Sequence, residues 1–274
     1  MTAPDTQTDH AAEDRALLPE VVRVVQAAGA QLLARFSGGS RVSGRDELLA
    51  ALQANDAASL AVLRPALTAL RPQTKWVADE METGALPAGE WWVVDPVEGN
   101  INHIHGLPEW CVSATLVREG APALTAVFFP LTGETYSAAR GAGAQLNGTP
   151  LSTSGKTDFG IALVSTGQAE PHEPPETRRR LGESMTAMTG DWRVLRASVP
   201  TTLHLVQVAA GHTDVFWEYS RVRSGLMAGA LLVTEAGGAV SDTRGAAWSP
   251  ERPDFLAAAP GVHAQAVQAL STVR

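Results

Sequence analysis

The run Trp92-Val93-Val94-Asp95-Pro96-Val97-Glu98-Gly99-Asn100-Ile101-Asn102-His103-Ile104-His105-Gly106 decides how this chain is read. Its opening, from Glu90 through Val94, is β-branched and aromatic and reads as a buried strand that Asp95-Pro96 ends at a turn. Two carboxylates, Asp95 and Glu98, are thereby delivered onto a proline-and-glycine turn. Side chains and freed backbone carbonyls there can converge on a hard cation such as Mg2+. Gly99 lets a bound phosphate approach the chain closely, with the following N–H groups facing it. Two acids on a turn are more often solvent-facing turn residues, so the pattern alone is only suggestive of a metal site.

Upstream of this turn, Leu17, Val21, Val22, Val25, Ala28, Leu32 and Leu33 recur at helical spacing and predict a helix over 15–36. The polar stretch before it reads as a flexible tail over 1–13. A second helix is expected over 46–70, with Pro72 beyond its end. Downstream, 111–118 and 121–130 read as strands separated by Glu119-Gly120, and Asn147-Gly148 marks a hairpin or tight turn. Gly141-x-Gly143 is too short and wrongly placed for a dinucleotide fingerprint and reads as backbone geometry. The proline- and glutamate-bearing segment 168–177 reads as an exposed loop. Helices are expected near 176–188, 201–211 and 224–237, with a strand at 215–219. The turn falls in an N-terminal α+β part over 14–155, and a C-terminal α/β part covers 156–274.

The 274 residues, 45% hydrophobic and 18% charged, have the composition of a globular protein and not of a disordered or collagen-like one. Acids outnumber bases 29 to 21 and the bases form no long cluster, which argues against a nucleic acid polymer or an anionic membrane as partner. A small molecule is the expected ligand. The single Cys111 excludes an intrachain disulfide and suits a cytoplasmic location. No uninterrupted apolar run approaches membrane-spanning length, and the polar, acidic start does not read as a signal peptide.

The turn resembles the metal-binding strand-turn of the inositol monophosphatase superfamily, which reads Asp-Pro-hydrophobic-Asp-Gly-Thr-x-Asn and is followed closely by a His. Asp95, Pro96, Val97, Gly99, Asn102 and His105 match it. Ala78-Asp79-Glu80 occupies the place of the family's Gly-Glu-Glu motif. Trp110 to Ser113, the segment 141–151, Phe216-Trp217-Glu218 and the string from Ala228 to Gly238 are similar to further family segments in the same order.

The resemblance implies a layered αβαβα sandwich, often a homodimer, in which Mg2+ bound between two parts activates water against a phosphomonoester. It implies metal positions at Asp79, Asp95, the Val97 carbonyl and Glu98. It implies that Asp56 helps deprotonate water and that Glu218 meets substrate hydroxyls, while Gly99 and Asn100 lie against the phosphate.

Three departures fall on the chemistry. The turn's second Asp is Glu98, its Thr is Asn100, and the family's Trp-Asp pair before the last major helix falls on Ser224-Gly225. Glu98 is one methylene longer than Asp, about 1.5 Å of carboxylate displacement, whereas Mg–O distances are held near about 2.1 Å. Asn100 has no hydroxyl proton to pass, and Gly225 supplies no ligand. One weakly held Mg2+, or none, is the expected cofactor state, and an Asp introduced at Gly225 is expected to be tolerated by the helix.

His103, two positions before His105, reads either as a proton-transfer residue or as a packed histidine. Arg221 and Arg223 read as anion partners or solvated surface. His204, His212 and His263 read as structural, and Trp91-Trp92 as core and interface. The leading reading is metal-assisted hydrolysis of a small polar, phosphorylated metabolite at a weakened metal site. A repurposed non-hydrolytic enzyme and a non-catalytic metabolite-binding protein are the alternatives.

Overall fold

The structure is a computed structural model describing residues 6–39, 42–77, 83–169, 173–190, 192–220 and 222–273. Helix α1 (Thr6–Arg35) buries Val21, Val25, Ala28 and Leu32 on one stripe, at the spacing read from the sequence. It begins within the stretch expected to be a tail, because nothing there breaks a helix. Glu13 within that stretch and Asp14 just after it are also fixed to the body. Glu13 pairs with Arg71 at 3.1 Å, and the buried Asp14 accepts two bonds from Arg118 at 2.8 and 2.9 Å. By length and composition His10–Arg35 could cross a membrane, but here its apolar stripe faces the protein core.

Helix α2 (Arg45–Leu70) lies beside α1 and buries Leu63 and Leu67. Both cover one face of a seven-stranded sheet in sequence order. Its strands are β1 (Lys75–Trp76), β2 (Glu90–Glu98), β3 (Cys111–Arg118), β4 (Ala121–Phe129), β5 (Glu134–Ala139), β6 (Ala144–Leu146) and β7 (Thr149–Pro150). β1 is parallel to β2 and every later pair is antiparallel. Asn147 (φ 49°) and Gly148 (φ 83°) form the expected turn between β6 and β7.

A second sheet, in the order β11-β12-β10-β8-β9, is built from β8 (Leu163–Thr166), β9 (Val194–Ala197), β10 (Val215–Glu218), β11 (Ala239–Ser241) and β12 (Phe255–Ala258). Helices α5 (Thr201–Ala209) and α6 (Arg223–Glu235) fill the space between the sheets around Leu205, Leu226, Leu231 and Phe216. Helices α4 (Pro175–Met188) and α7 (Pro260–Leu270) cover the outer face of the second sheet. The layers thus run αβαβα, as the resemblance implied. The close approach of α5 to α6 depends on Gly229, where a Cβ would stand 2.0 Å from a Leu205 methyl carbon. Trp92 is wholly buried beneath α1 and α2, whereas Trp91 is half-buried and donates to the Pro87 carbonyl.

Candidate functional site

β2 leaves its regular pairing just where its chemistry begins. Asp95 stands opposite Ser113 and Glu98 opposite Cys111, so β2 carries one extra residue across this interval, a β-bulge. Gly99 follows at φ 81°, a left-handed conformation, and a Cβ there would lie 2.6 Å from the Glu109 carbonyl oxygen. Only glycine fits both constraints. The Gly99 carbonyl then accepts the Asn102 and His103 N–H groups, which opens the short helix α3 (Asn100–His105).

A continuous series of contacts joins this turn to the middle helices. Asp95 accepts the Val97 N–H at 3.2 Å and the Ser224 hydroxyl at 3.3 Å. Glu98, 7% exposed, accepts the Thr202 N–H at 2.9 Å with Oε1, while the Cys111 thiol lies 3.8 Å from Oε2. Thr201, the residue before, donates its hydroxyl to Glu218 at 2.8 Å. The first turn of α5 therefore holds two carboxylates at once, one from the end of each sheet. Burial pushes the Glu98 carboxyl above its ordinary value, opposed by the Thr202 and Cys111 hydrogen bonds. Burial and the neighbouring Glu98 and Asp95 charges raise Cys111 far enough to keep it a thiol.

Asn100 reaches the other way, to α2. Its amide nitrogen donates to Asp56 at 2.8 Å and to the Leu52 carbonyl at 3.2 Å, and its oxygen accepts from Asn55 at 2.9 Å. Asn55 itself is held by Arg35 at 3.0 Å and reaches Nδ1 of His103 at 3.0 Å. His103 Nε2 meets the Leu32 carbonyl at 3.0 Å, so both ring nitrogens are engaged. An accepting carbonyl at Nε2 and a donating amide at Nδ1 define the neutral Nε2–H tautomer. Burial lowers the His103 pKa, and the ring packs edge-on to Phe36 and Trp110. This environment is that of a packed histidine.

The remaining expected residues divide sharply. Arg223 is buried and donates to the Gly84 and Thr83 carbonyls at 2.9 and 2.7 Å, holding the segment before β2 against α6; it is not a solvated surface residue. Asp79, Glu80 and Arg221 lie outside the described residues. Gly225 is the third residue of α6, and an ideal Cβ there would stand 2.7 Å from Glu98 Oε1 and 3.1 Å from the Thr202 hydroxyl. An Asp at this position is therefore crowded, contrary to the expectation from helix geometry alone.

Among the described residues, no three His, Cys, Asp or Glu side chains gather where they could hold a metal ion. Among the described residues, Asp95 and the Val97 carbonyl are oxygen donors of the kind a hard cation takes, while Glu98 is engaged with Thr202 and Cys111.

Gly141 and Gly143, both at positive φ, donate their N–H groups to the two oxygens of Glu235, each at 2.8 Å. The short glycine pair thus cradles an internal carboxylate, in line with its reading as backbone geometry. His204 packs on Phe216 and meets Ser198, and His263 meets the Ser241 hydroxyl. Asn55, Thr201 and Thr202 were not read from the sequence. Pro200 before Thr201-Thr202 is a helix-start signal that would have located the turn of α5, though not its carboxylates.

Residues 14–273 match the family model described as "Inositol monophosphatase family". An inositol-1-monophosphatase from Rhizobium meliloti is 32% identical over 185 residues, covering 67% of this chain and 69% of that protein. A Nus factor SuhB from Pseudomonas aeruginosa is 37% identical over 154 residues, 56% of this chain. The chain spans little more than half of the two Nus factor SuhB proteins from Pseudomonas aeruginosa and Xylella fastidiosa, 57% and 56% of their lengths. The structure of an inositol monophosphatase from Anabaena superposes with a TM-score of 0.79 at 25% identity, covering 95% of this chain and 97% of that one.

Proposed function

From the premise that this chain belongs to the inositol monophosphatase family, we propose that it binds a small, phosphorylated polyol-like metabolite at the β2–α3 turn and hydrolyses its phosphomonoester slowly. The observation that carries this reading is the Asn100–Asp56 contact at 2.8 Å. In the hydrolytic reading Asp56 takes a proton from the attacking water. Asn100 occupies the neighbouring position with an amide whose two N–H directions go to Asp56 and Leu52 and whose oxygen is taken by Asn55. An amide orients Asp56 but relays no proton, so water activation falls to the carboxylate alone.

Mg2+ is the cofactor of this reading, as a single weakly held ion. Asp95, the Val97 carbonyl and Asp79 are its protein donors, and water completes the octahedron. When bound, such an ion supplies charge neutralisation at the phosphate and a more acidic water. The protein's own contributions are more specific. Gly99 lets the turn pack closely on the Glu109 carbonyl and Pro200, Glu218 is held by the Thr201 hydroxyl and is assigned to substrate hydroxyls, and the buried layer beneath β2 fixes the turn. Arg221 is assigned to the anionic end of the ligand. The setting is taken to be the cytoplasm and the assembly a homodimer.

Phosphate release from a panel of sugar, inositol and nucleotide monophosphates, with and without millimolar Mg2+, tests the reading. Slow, Mg2+-dependent release from at least one polyol phosphate is expected. No release from any member at high Mg2+ would remove hydrolysis from the account. A second reading, a metabolite-binding protein without turnover, is favoured by the engagement of Glu98 with α5. It would be recognised by a ligand retained intact after incubation with cell extract and identified by mass spectrometry.

A further inference from the structure

Two glycines in the middle of the molecule face carboxylates at distances that a side chain could occupy only if the carboxylate moved. At Gly225 an ideal Cβ would lie 2.7 Å from Glu98 Oε1, and at Gly167 it would lie 2.5 Å from Glu218 Oε1. Real Cβ atoms do not approach oxygen so closely, so a side chain at either glycine requires the carboxylate to shift away from the Thr202 or Thr201 partner that holds it. The same turn of α5 holds both acids, through the Thr202 N–H on Glu98 and the Thr201 hydroxyl on Glu218.

Neither α5 nor α6 has a side-chain cap from its own N-cap residue, Pro200 or Val222. Glu98 supplies the missing acceptor to α5 from outside the helix, at the end where an anion is favoured. Its longer side chain is what lets a residue at the end of β2 reach across to α5. The carboxylate then stands in the volume toward which residue 225 would project.

We infer that Glu98 and Gly225 form a matched pair in which Glu98 is a positioning residue, tying the β2–α3 turn to α5, and not a metal ligand. The pair closes the site to a second divalent cation, because one carboxylate is fixed on a helix end and the other is absent. This inference concerns the site of the proposed hydrolysis but stands on packing alone. A protein that releases no phosphate can still satisfy it, and a phosphatase can still violate it.

A double-mutant cycle with a metal count tests it. Gly225→Ala should lower Tm by about 5 °C, since the new methyl displaces a carboxylate that has a fixed partner. In the Glu98→Ala background the same change should lower Tm by less than about 1 °C further. Glu98→Gln, which keeps the length and the acceptor oxygen, should retain the wild-type sensitivity to Gly225→Ala.

With Mn2+ as probe, titrated calorimetrically or followed by electron paramagnetic resonance, wild-type and Glu98→Gln proteins should bind no more than one ion. The Glu98→Asp/Gly225→Asp variant, with the niche emptied and a second carboxylate added, should bind two. Additive Tm changes around the cycle would overturn the inference, as would two Mn2+ ions on the wild-type protein. If Gly225→Ala fails to fold in the wild-type background but folds with Glu98→Ala, that rescue is the expected coupling in its strongest form. Failure in both backgrounds would show that Glu98 is not what crowds position 225.

Discussion

Two glutamates, Glu98 and Glu235, tie one half of this molecule to the other, and they are treated differently. Glu235, at the end of α6, meets two glycine N–H groups of the turn after β5, one per oxygen, and remains half-buried. Glu98, at the end of β2, is nearly fully buried, meets one backbone N–H and a thiol, and has its carboxyl pushed upward by burial. The first is an economical structural tie, with both oxygens paired and water near. The second carries the desolvation of a charge in a crowded niche. Such an arrangement belongs where the chain must fix a turn, and that turn carries Asp95, Gly99 and Asn100. The two ties thus differ in burial and in the groups that pair their oxygens.

The comparison breaks most severely if the α5–α6 spacing that shapes the niche is disturbed. Gly229→Ala should cost more than about 3 kcal/mol in chemical denaturation, because its methyl would overlap Leu205 at the closest point of the two helices. A change below about 1 kcal/mol would mean that α5 moves freely and that the Glu98 niche is soft.

Acid should loosen the Glu98 side before the Glu235 side, through His204 on α5. Burial lowers the His204 pKa to about 4, with the Arg196 charge acting in the same direction. The unfolded chain takes up this proton near pH ~6.5 and the folded one only near its lower pKa. The stabilisation is therefore complete above about pH 6.5 and is lost as pH falls toward 4, by about 3 kcal/mol in all. A His204→Gln variant should show a flatter stability profile between pH 7 and 4 than wild type. Parallel profiles would assign the acid sensitivity to other groups.

Removing each carboxylate in turn gives a smaller contrast. Glu98→Ala leaves a buried N–H unpaired and a void, an expected loss of about 2 kcal/mol, whereas Glu235→Ala exposes two N–H groups near water and should cost about 1 kcal/mol. Equal losses in urea denaturation would erase the distinction between the two ties.

The sequence reading succeeded where local pattern and burial agree. The stripe from Val21 to Leu32 and the β-branched run before Asp95 each bury the face that their periodicity specifies. The stretch 1–13 reads as a tail, whereas α1 begins at Thr6, because polar first turns of a helix carry no apolar period and Glu13 finds Arg71 only in three dimensions. Strands β8, β9, β11 and β12 have only three or four residues each, too few for a period to show, and they are held by neighbours distant in sequence.

The site was legible as a turn with acids. The partners of those acids were not, since Asn100 meets α2 residues 44 to 48 positions away and Glu98 meets Thr202 at a separation of 104. The crowding at Gly225 was likewise invisible, because a glycine in sequence does not announce what stands opposite it.

The most direct measurement of the central claim is Mg2+-dependent phosphate release by the Glu98→Asp/Asn100→Thr/Gly225→Asp variant beside wild type, on the same panel of polyol and nucleotide monophosphates. Shortening Glu98 clears the niche, the new Asp fills it, and threonine restores a hydroxyl beside Asp56. A gain of at least about tenfold over a slow wild-type rate is expected, with Gly225→Asp alone gaining little because it collides with Glu98. A wild-type protein already as fast as the folded triple variant would contradict the claim that these three positions limit hydrolysis. So would a triple variant that binds two Mg2+ ions and releases no more phosphate than wild type.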